Sequence, residues 1–354
     1  MLKIVLIVMG IMVLAGAIMA FALTRDGKLV TPEGTGTVTT ASGTFEAFPL
    51  PDYAAEFITD DYLSYLIEVE PGIKIHVLEV GTGRPVYLQH GNPTSGFLWR
   101  RVVEHLPTDR YRVIMPTMVG LGFSSKVPAS QHTAENQINW MHAALEQLDL
   151  EDVVYVGQDW GGIVGMGIFT RSPDLLSGAV MLNTGIHAPT QSGSLSAAHD
   201  LARTPIVGEL MLEVIVSIFD RLSEAQGDPA SMPQEVADLY GRPLRESGNR
   251  KAPLALMRAV PTGPEHPTAA QLRMIEDYIE TIDIPVEIVW GMNDPILTRL
   301  LPNMEAIFPN APVTRTQGGH FLQEEVPEEI AAAIIRVVEQ VDGDDSASAA
   351  ATGE

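Results

Sequence analysis

Apolar and polar positions divide the chain into stretches of different character. The first begins almost at the amino terminus, where Ile4 to Leu23 reads "IVLIVMGIMVLAGAIMAFAL", an unbroken apolar run of 20 residues. As a helix this run spans about 30 Å, the thickness of a hydrocarbon core. It predicts that residues 1–23 are a membrane anchor, with a cleaved signal peptide as the rival, because Lys3 precedes the run and Ala20-Phe21-Ala22 offers a small-x-small site. Lys3 lies before it and Arg25 and Lys28 after it, so flanking charge does not decide the orientation. The expectation is a single-pass membrane protein with the remainder outside the cytoplasm, or secretion after cleavage. Residues 24–52 are rich in Gly, Thr and Pro without a sustained period and read as a linker. Residues 342–354 are acidic and rich in small residues, and read as a disordered tail.

Between these ends the pattern alternates strand and helix. "SYLIEVEPGIKIHVLEVG" (64–81) predicts two strands around Pro71-Gly72, and "PVYLQHG" (85–91) a buried strand. "YRVIMP", "DVVYVG", "SGAVMLN", "VEIVWG" and "APVTRT" predict five more. Helical periods at 133–148 and 162–171 separate them, which implies crossover connections and a mostly parallel, eight-stranded α/β sheet with helices on both faces. After "AVMLNTG" the alternation stops for about 80 residues. Helical segments with interspersed prolines (206–222, 233–240, 253–260) predict an inserted helical cap over 187–269, flanked by main-domain halves at 53–186 and 270–341.

Composition narrows the partners. With 354 residues the chain is long enough for one large domain with an insertion. Its formal net charge of -23 repels nucleic acid and anionic membrane surfaces. With no cysteine there is neither a disulfide framework nor a thiolate nucleophile. Gly120-Leu121-Gly122 lacks the third glycine of a dinucleotide fingerprint, and no cofactor or metal motif is expected.

The candidate chemistry sits where strands end, the usual ligand position in such sheets. Gly157-Gln158-Asp159-Trp160-Gly161 has the Gly-x-nucleophile-x-Gly spacing of a strand-to-helix elbow, with a carboxylate in the middle. Taken alone, Asp159 serves equally well as a helix N-cap. Downstream, Asp294 follows the strand "VEIVWG", and His320 follows the next strand on a Gly-Gly turn. The chain order of nucleophile, acid and histidine is that of the α/β-hydrolase triad. An aspartate nucleophile displaces a leaving group from carbon and forms an ester, which water must then hydrolyse. His320 is the expected base for that water and Asp294 the acid that orients it. The backbone N–H groups of Asn92 and Trp160 are expected to face the oxyanion.

"LQHGNPTSGFLWR" (88–100), the QDWGG elbow, the late "GGHFLQEE" and the Y-x-x-P element at Tyr240 together resemble the haloalkane dehalogenase family, over roughly residues 62–335. The resemblance implies hydrolytic removal of halide from an uncharged haloalkane to give a primary alcohol. It also implies that the side chains of Asn92 and Trp160 hold the leaving halide. Asn183 stands where one branch of that family has its catalytic glutamate, so the likeness is to the subgroup with an Asp-His-Asp triad and an Asn/Trp halide pair, whose members tend to form homo-oligomers. Pro116-Thr117 departs from the family's Pro-Asp, with Thr117 expected to cap locally.

Three rivals share parts of this pattern. Epoxide hydrolases have the same nucleophile but need cap tyrosines, and 187–270 contains only Tyr240. Haloacetate dehalogenases want an arginine beside the nucleophile, where this chain has Trp160. A membrane-tethered binding protein of the same fold without turnover is the alternative outside enzymology. The apolar cap run 207–219 has two uses, lining a substrate tunnel or packing on the main domain, of which packing suits most of its residues.

Overall fold

The computed structural model describes residues 16, 20–21 and 23–352. Ten strands form one sheet: β1 (Thr37–Thr40), β2 (Gly43–Ala47), β3 (Leu63–Glu70), β4 (Ile73–Val80), β5 (Arg84–Gln89), β6 (Tyr111–Pro116), β7 (Val153–Gln158), β8 (Leu176–Leu182), β9 (Val286–Gly291) and β10 (Val313–Thr316). Their spatial order is β1-β2-β3-β4-β6-β5-β7-β8-β9-β10. From β6 to β10 every neighbour is parallel, and β1 to β4 form an antiparallel wing. The parallel strands are apolar nearly throughout, as strands covered on both faces must be; every residue of β6 and β7 is buried.

The expected eight strands correspond to β3 through β10, and the sheet has two more. Residues 37–47, assigned to the linker, form a hairpin whose β2 pairs with β3 through Glu46↔Leu66. Glu46 fastens it, accepting from Gly34 N–H at 2.6 Å and from Lys74 Nζ at 2.6 Å. The threonines that made this stretch look like a spacer are β-branched residues on a half-exposed edge. At the other end, the helix Pro327–Thr352 runs into the expected disordered tail.

The membrane localisation needs correction. Most of the predicted span, residues 4–23, lies outside the described residues. Among the described residues no helix is long and apolar enough to cross a membrane.

Between β8 and β9 the chain leaves the sheet for the cap, with helices Ala197–Arg203, Gln234–Ser247 and Ala252–Ala259 and, over 207–225, a short irregular stretch that is π-helical at Leu210–Ile215 and 3₁₀ at Ile218–Ala225. The helix Pro267–Ile279 returns to the main domain, so the expected boundary at 270 falls inside a helix. Leu212, Val216 and Ile218 of the apolar cap run line a cavity, while Ile206, Val207, Val214 and Ile215 are exposed. Neither packing nor tunnel lining alone accounts for that run. Gln226 fixes the cap to the loop after β10, accepting from Phe321 N–H at 2.9 Å and donating to Phe321 C=O at 3.2 Å.

Candidate active site

The turn after β7 is built to project one side chain. Asp159 has φ +52° and ψ −121°, a conformation that an L-residue holds only when its surroundings impose it. Three contacts do so: Asp159 N–H donates to Asn183 C=O at 3.0 Å, Thr184 Oγ1 donates to Asp159 C=O at 2.7 Å, and Gly162 N–H donates to the same carbonyl at 3.1 Å. The close fit depends on glycine. A Cβ on Gly161 would lie 2.1 Å from Gln89 C=O, and one on Gly91 would lie 2.4 Å from Asp159 Oδ1.

Backbone donors grip the Asp159 carboxylate. Asn92 N–H donates to Oδ1 at 2.8 Å, and Trp160 N–H also bonds the carboxylate. Oδ2 faces His320 Nε2 at 3.9 Å, beyond hydrogen-bond length. Oδ1 is therefore oriented by the Asn92 N–H, with the Trp160 N–H a second donor to the carboxylate. Burial raises the Asp159 carboxyl above its ordinary value, against the opposing pull of His320 and the two N–H donors.

His320 stands between two carboxylates. Its Nδ1 is 2.9 Å from Asp294 Oδ2, and Gln158 Nε2 holds its backbone carbonyl at 3.0 Å. Burial disfavours the imidazolium, but Asp294 and Asp159 together outweigh it and raise the histidine above 6.5. Asp294 is held in turn: its Oδ1 accepts from Ile296 N–H at 2.7 Å and Leu297 N–H at 3.1 Å, and its Oδ2 from Asn183 Nδ2 at 2.7 Å. Desolvation raises this carboxyl, yet His320, Asn183 and Ile296 bring it below the ordinary value. Asn183 is thereby a support for the acid. Its Oδ1 also accepts from Gly291 N–H at 2.7 Å, so the side chain bridges β8 to β9.

The five residues singled out by sequence thus converge. Trp160 is buried, and its indole N–H has no acceptor among the described residues. Asn92 Nδ2 spends one hydrogen on Pro253 C=O of the cap at 3.1 Å and keeps the other. Thr117 does not cap its own turn: its Oγ1 accepts from Gly96 N–H at 3.1 Å. Tyr240 is fully buried and donates to Glu324 Oε1 at 3.0 Å, next to Arg100. It lines neither cavity beside Asp159, so it is not placed to protonate an epoxide.

Two cavities meet at the elbow, and both are lined by Asp159 and Trp160. One, about 240 Å³, extends past Ile186, Leu195 and Met304. The other, about 310 Å³, runs under the cap past Leu212, Leu222 and Phe321 and takes in Asn92 and His320. Its wall includes a second histidine, His199, which no motif signalled.

The chain is similar to several known proteins. The family model described as alpha/beta hydrolase fold matches residues 84–207. A haloalkane dehalogenase of Psychrobacter cryohalolentis is 28% identical over 301 residues, covering 82% of this chain and 94% of that protein. A cis-3-alkyl-4-alkyloxetan-2-one decarboxylase of Shewanella oneidensis is 27% identical over 268 residues, covering 73% and 83%. Among solved structures, a point mutant of the haloalkane dehalogenase DatA from Agrobacterium tumefaciens C58 is 30% identical with a TM-score of 0.69, covering 78% of this chain and 96% of that one. These dehalogenases are matched over almost their full lengths by about four-fifths of this chain.

Proposed function

Because the chain belongs to the haloalkane dehalogenase family within the α/β-hydrolase fold, we propose that it hydrolyses carbon–halogen bonds with Asp159 as nucleophile. The observation that carries this reading is the placement of His320 between Asp294 Oδ2 and Asp159 Oδ2. Asp159 Oδ2 attacks the carbon, the carbon–halogen bond breaks, and halide leaves toward the free N–H donors of Trp160 and Asn92. Those donors suit a halide, since an indole N–H and an amide N–H₂ give hydrogen bonds and cannot themselves be alkylated readily. The product is an ester on Asp159. His320 then takes a proton from water as the water attacks the ester carbonyl, with Asp294 stabilising the imidazolium. The backbone N–H groups of Asn92 and Trp160, already on the Asp159 carboxylate, are placed for the oxyanion of that step.

A second reading has specific support. The Shewanella relative is named for decarboxylating a dialkyl oxetanone, and the two cavities diverging from Asp159 suit an electrophile with two alkyl arms. Here Asp159 attacks the ring carbon that bears oxygen and the ring carboxylate leaves. Loss of carbon dioxide then supplies the electron pair of a carbon–carbon double bond as the Asp159 carboxylate is expelled. No water enters, so His320 has no base to provide.

The test uses halide release from short bromo- and chloroalkanes beside alkene release from a cis-dialkyl oxetanone, in wild type and His320→Gln. Dehalogenation predicts halide from wild type and, in the variant, a single equivalent of halide with a mass increase on intact protein from the ester at Asp159. Absence of halide from every alkyl bromide, with alkene formed equally by wild type and variant, replaces the first reading with the second.

A further inference from the structure

His199 is a buried imidazole in the wall of the cavity that also contains Asn92, Asp159, Trp160 and His320, and the reaction above gives it no task. It sits on the cap helix Ala197–Arg203, whose N-cap is Ser196. Ser196 Oγ accepts from the His199 backbone N–H at 3.4 Å and lies 2.8 Å from His199 Nδ1. The serine hydroxyl hydrogen has no other acceptor among the described residues, which favours its donation to Nδ1. In that tautomer the ring hydrogen is on Nε2, which has no acceptor among the described residues.

We propose that His199 is a hydrogen-bond donor to an oxygen atom of the substrate, which makes the site selective for electrophiles carrying an ether, carbonyl or carboxylate oxygen a few bonds from the reacting carbon. The inference rests on the preceding reading of Asp159 as the atom that attacks carbon. Burial, with Arg203 and His320 nearby, pushes the imidazole down to about 4, so it is a neutral donor at neutral pH. A neutral donor suits this position because it does not compete with Trp160 and Asn92 for the departing halide as an imidazolium would. Leu212, Val216, Ile218, Leu222 and Met257 make most of the remaining wall apolar, and its other charged side chains, Arg221 and Glu224, are half exposed and paired with each other. A donor left unpaired in such surroundings penalises a purely hydrocarbon chain and favours one that brings an acceptor.

The test compares hexyl bromide with ethers in which one methylene is replaced by oxygen at successive positions. For wild type at least one ether is expected to exceed hexyl bromide in kcat/KM by about five- to tenfold, as one hydrogen bond gives. His199→Phe is expected to erase that ratio and His199→Gln, which keeps an N–H, to restore part of it; a helix-capping role alone leaves the ratio unchanged. A second measurement does not depend on turnover. Asp159→Asn protein with isotopically labelled histidine is titrated with hexanol and with the corresponding ether alcohols. A His199 Nε2 shift with an ether alcohol and not with hexanol supports the assignment even if no bromide is turned over, which would overturn the dehalogenation reading alone. Halide release with no ether preference, or no differential His199 shift with any of the ether alcohols, overturns the assignment.

Discussion

At the scale of single residues the proposed reaction makes its two steps depend on two ionisations. Alkylation needs Asp159 as carboxylate, and burial raises its carboxyl above 3.8. Ester hydrolysis needs neutral His320, which its two carboxylate neighbours raise above 6.5. As pH falls, protonation of His320 slows hydrolysis, while alkylation continues for as long as Asp159 stays ionised. Once Asp159 is an ester, one of the two charges that raise His320 is gone, so the acid limb of kcat lies below the pKa of His320 in the free enzyme. Asn183 enters through Asp294. Its Nδ2 donor offsets part of the Asp294 charge, and removing it strengthens the hold of that charge on the imidazolium. Asn183→Gly tolerates the φ of +22° at this position without strain. It is expected to move the acid limb upward in pH and to lower kcat about tenfold, by analogy with the loss of other ligand-orienting contacts, while the halide burst persists. Rapid-quench mass measurement across pH checks both points. A limb that stays in place would show that Asn183 supports the strands and not the acid.

At the scale of elements, the elbow works because two chain segments approach more closely than side chains permit. A Cβ on Gly161 meets the backbone carbonyl of Gln89 at 2.1 Å, which no rotamer change relieves, whereas a Cβ on Gly193 meets nothing within 4 Å. Gly161→Ala is expected to cost about 1–3 kcal/mol of stability and to displace Asp159 from its two backbone donors. Gly193→Ala is expected to leave thermal unfolding within about 0.5 kcal/mol of wild type. Equal unfolding temperatures for the two variants would refute the close-packing account. The same local chemistry explains what was legible in the sequence. Strands β5 to β9 announce themselves as largely apolar runs, and the candidate catalytic elements by glycine spacing at strand ends. The hairpin at 37–47 was hidden because its threonines belong equally to loops and to edge strands, and what holds it, the pairing with β3 and the reach of Glu46 to Lys74, is long-range. His199 was hidden for a different reason: Ser-x-x-His has no signature, and the residue acquires meaning only when the cap folds over Asp159.

At the scale of the whole molecule, cap and main domain are joined through a buried charged cluster directly after His320. Arg100 donates to both oxygens of Glu324, at 2.7 and 2.9 Å, and Tyr240 of the cap donates to Glu324 Oε1 at 3.0 Å. All three side chains are buried, and Glu324 lies four residues beyond His320. Thus the Tyr-x-x-Pro element of the cap acts as a brace, which also accounts for a cap tyrosine without epoxide chemistry. The cluster predicts an asymmetric response. Tyr240→Phe removes the bond donated to Glu324 and the longer one accepted from Arg100 and leaves the ion pair intact, for about 1–3 kcal/mol of stability. Glu324→Ala strands the Arg100 guanidinium without its carboxylate and is expected to cost about 3–5 kcal/mol. If the brace also positions His320, the two variants differ in catalysis as well: Tyr240→Phe keeps ester hydrolysis near the wild-type rate, and Glu324→Ala accumulates the Asp159 ester at temperatures where the protein is still folded. Denaturant unfolding together with single-turnover ester decay distinguishes these outcomes. A Glu324→Ala protein that is destabilised yet decays the ester at the wild-type rate would confine the cluster to holding the cap.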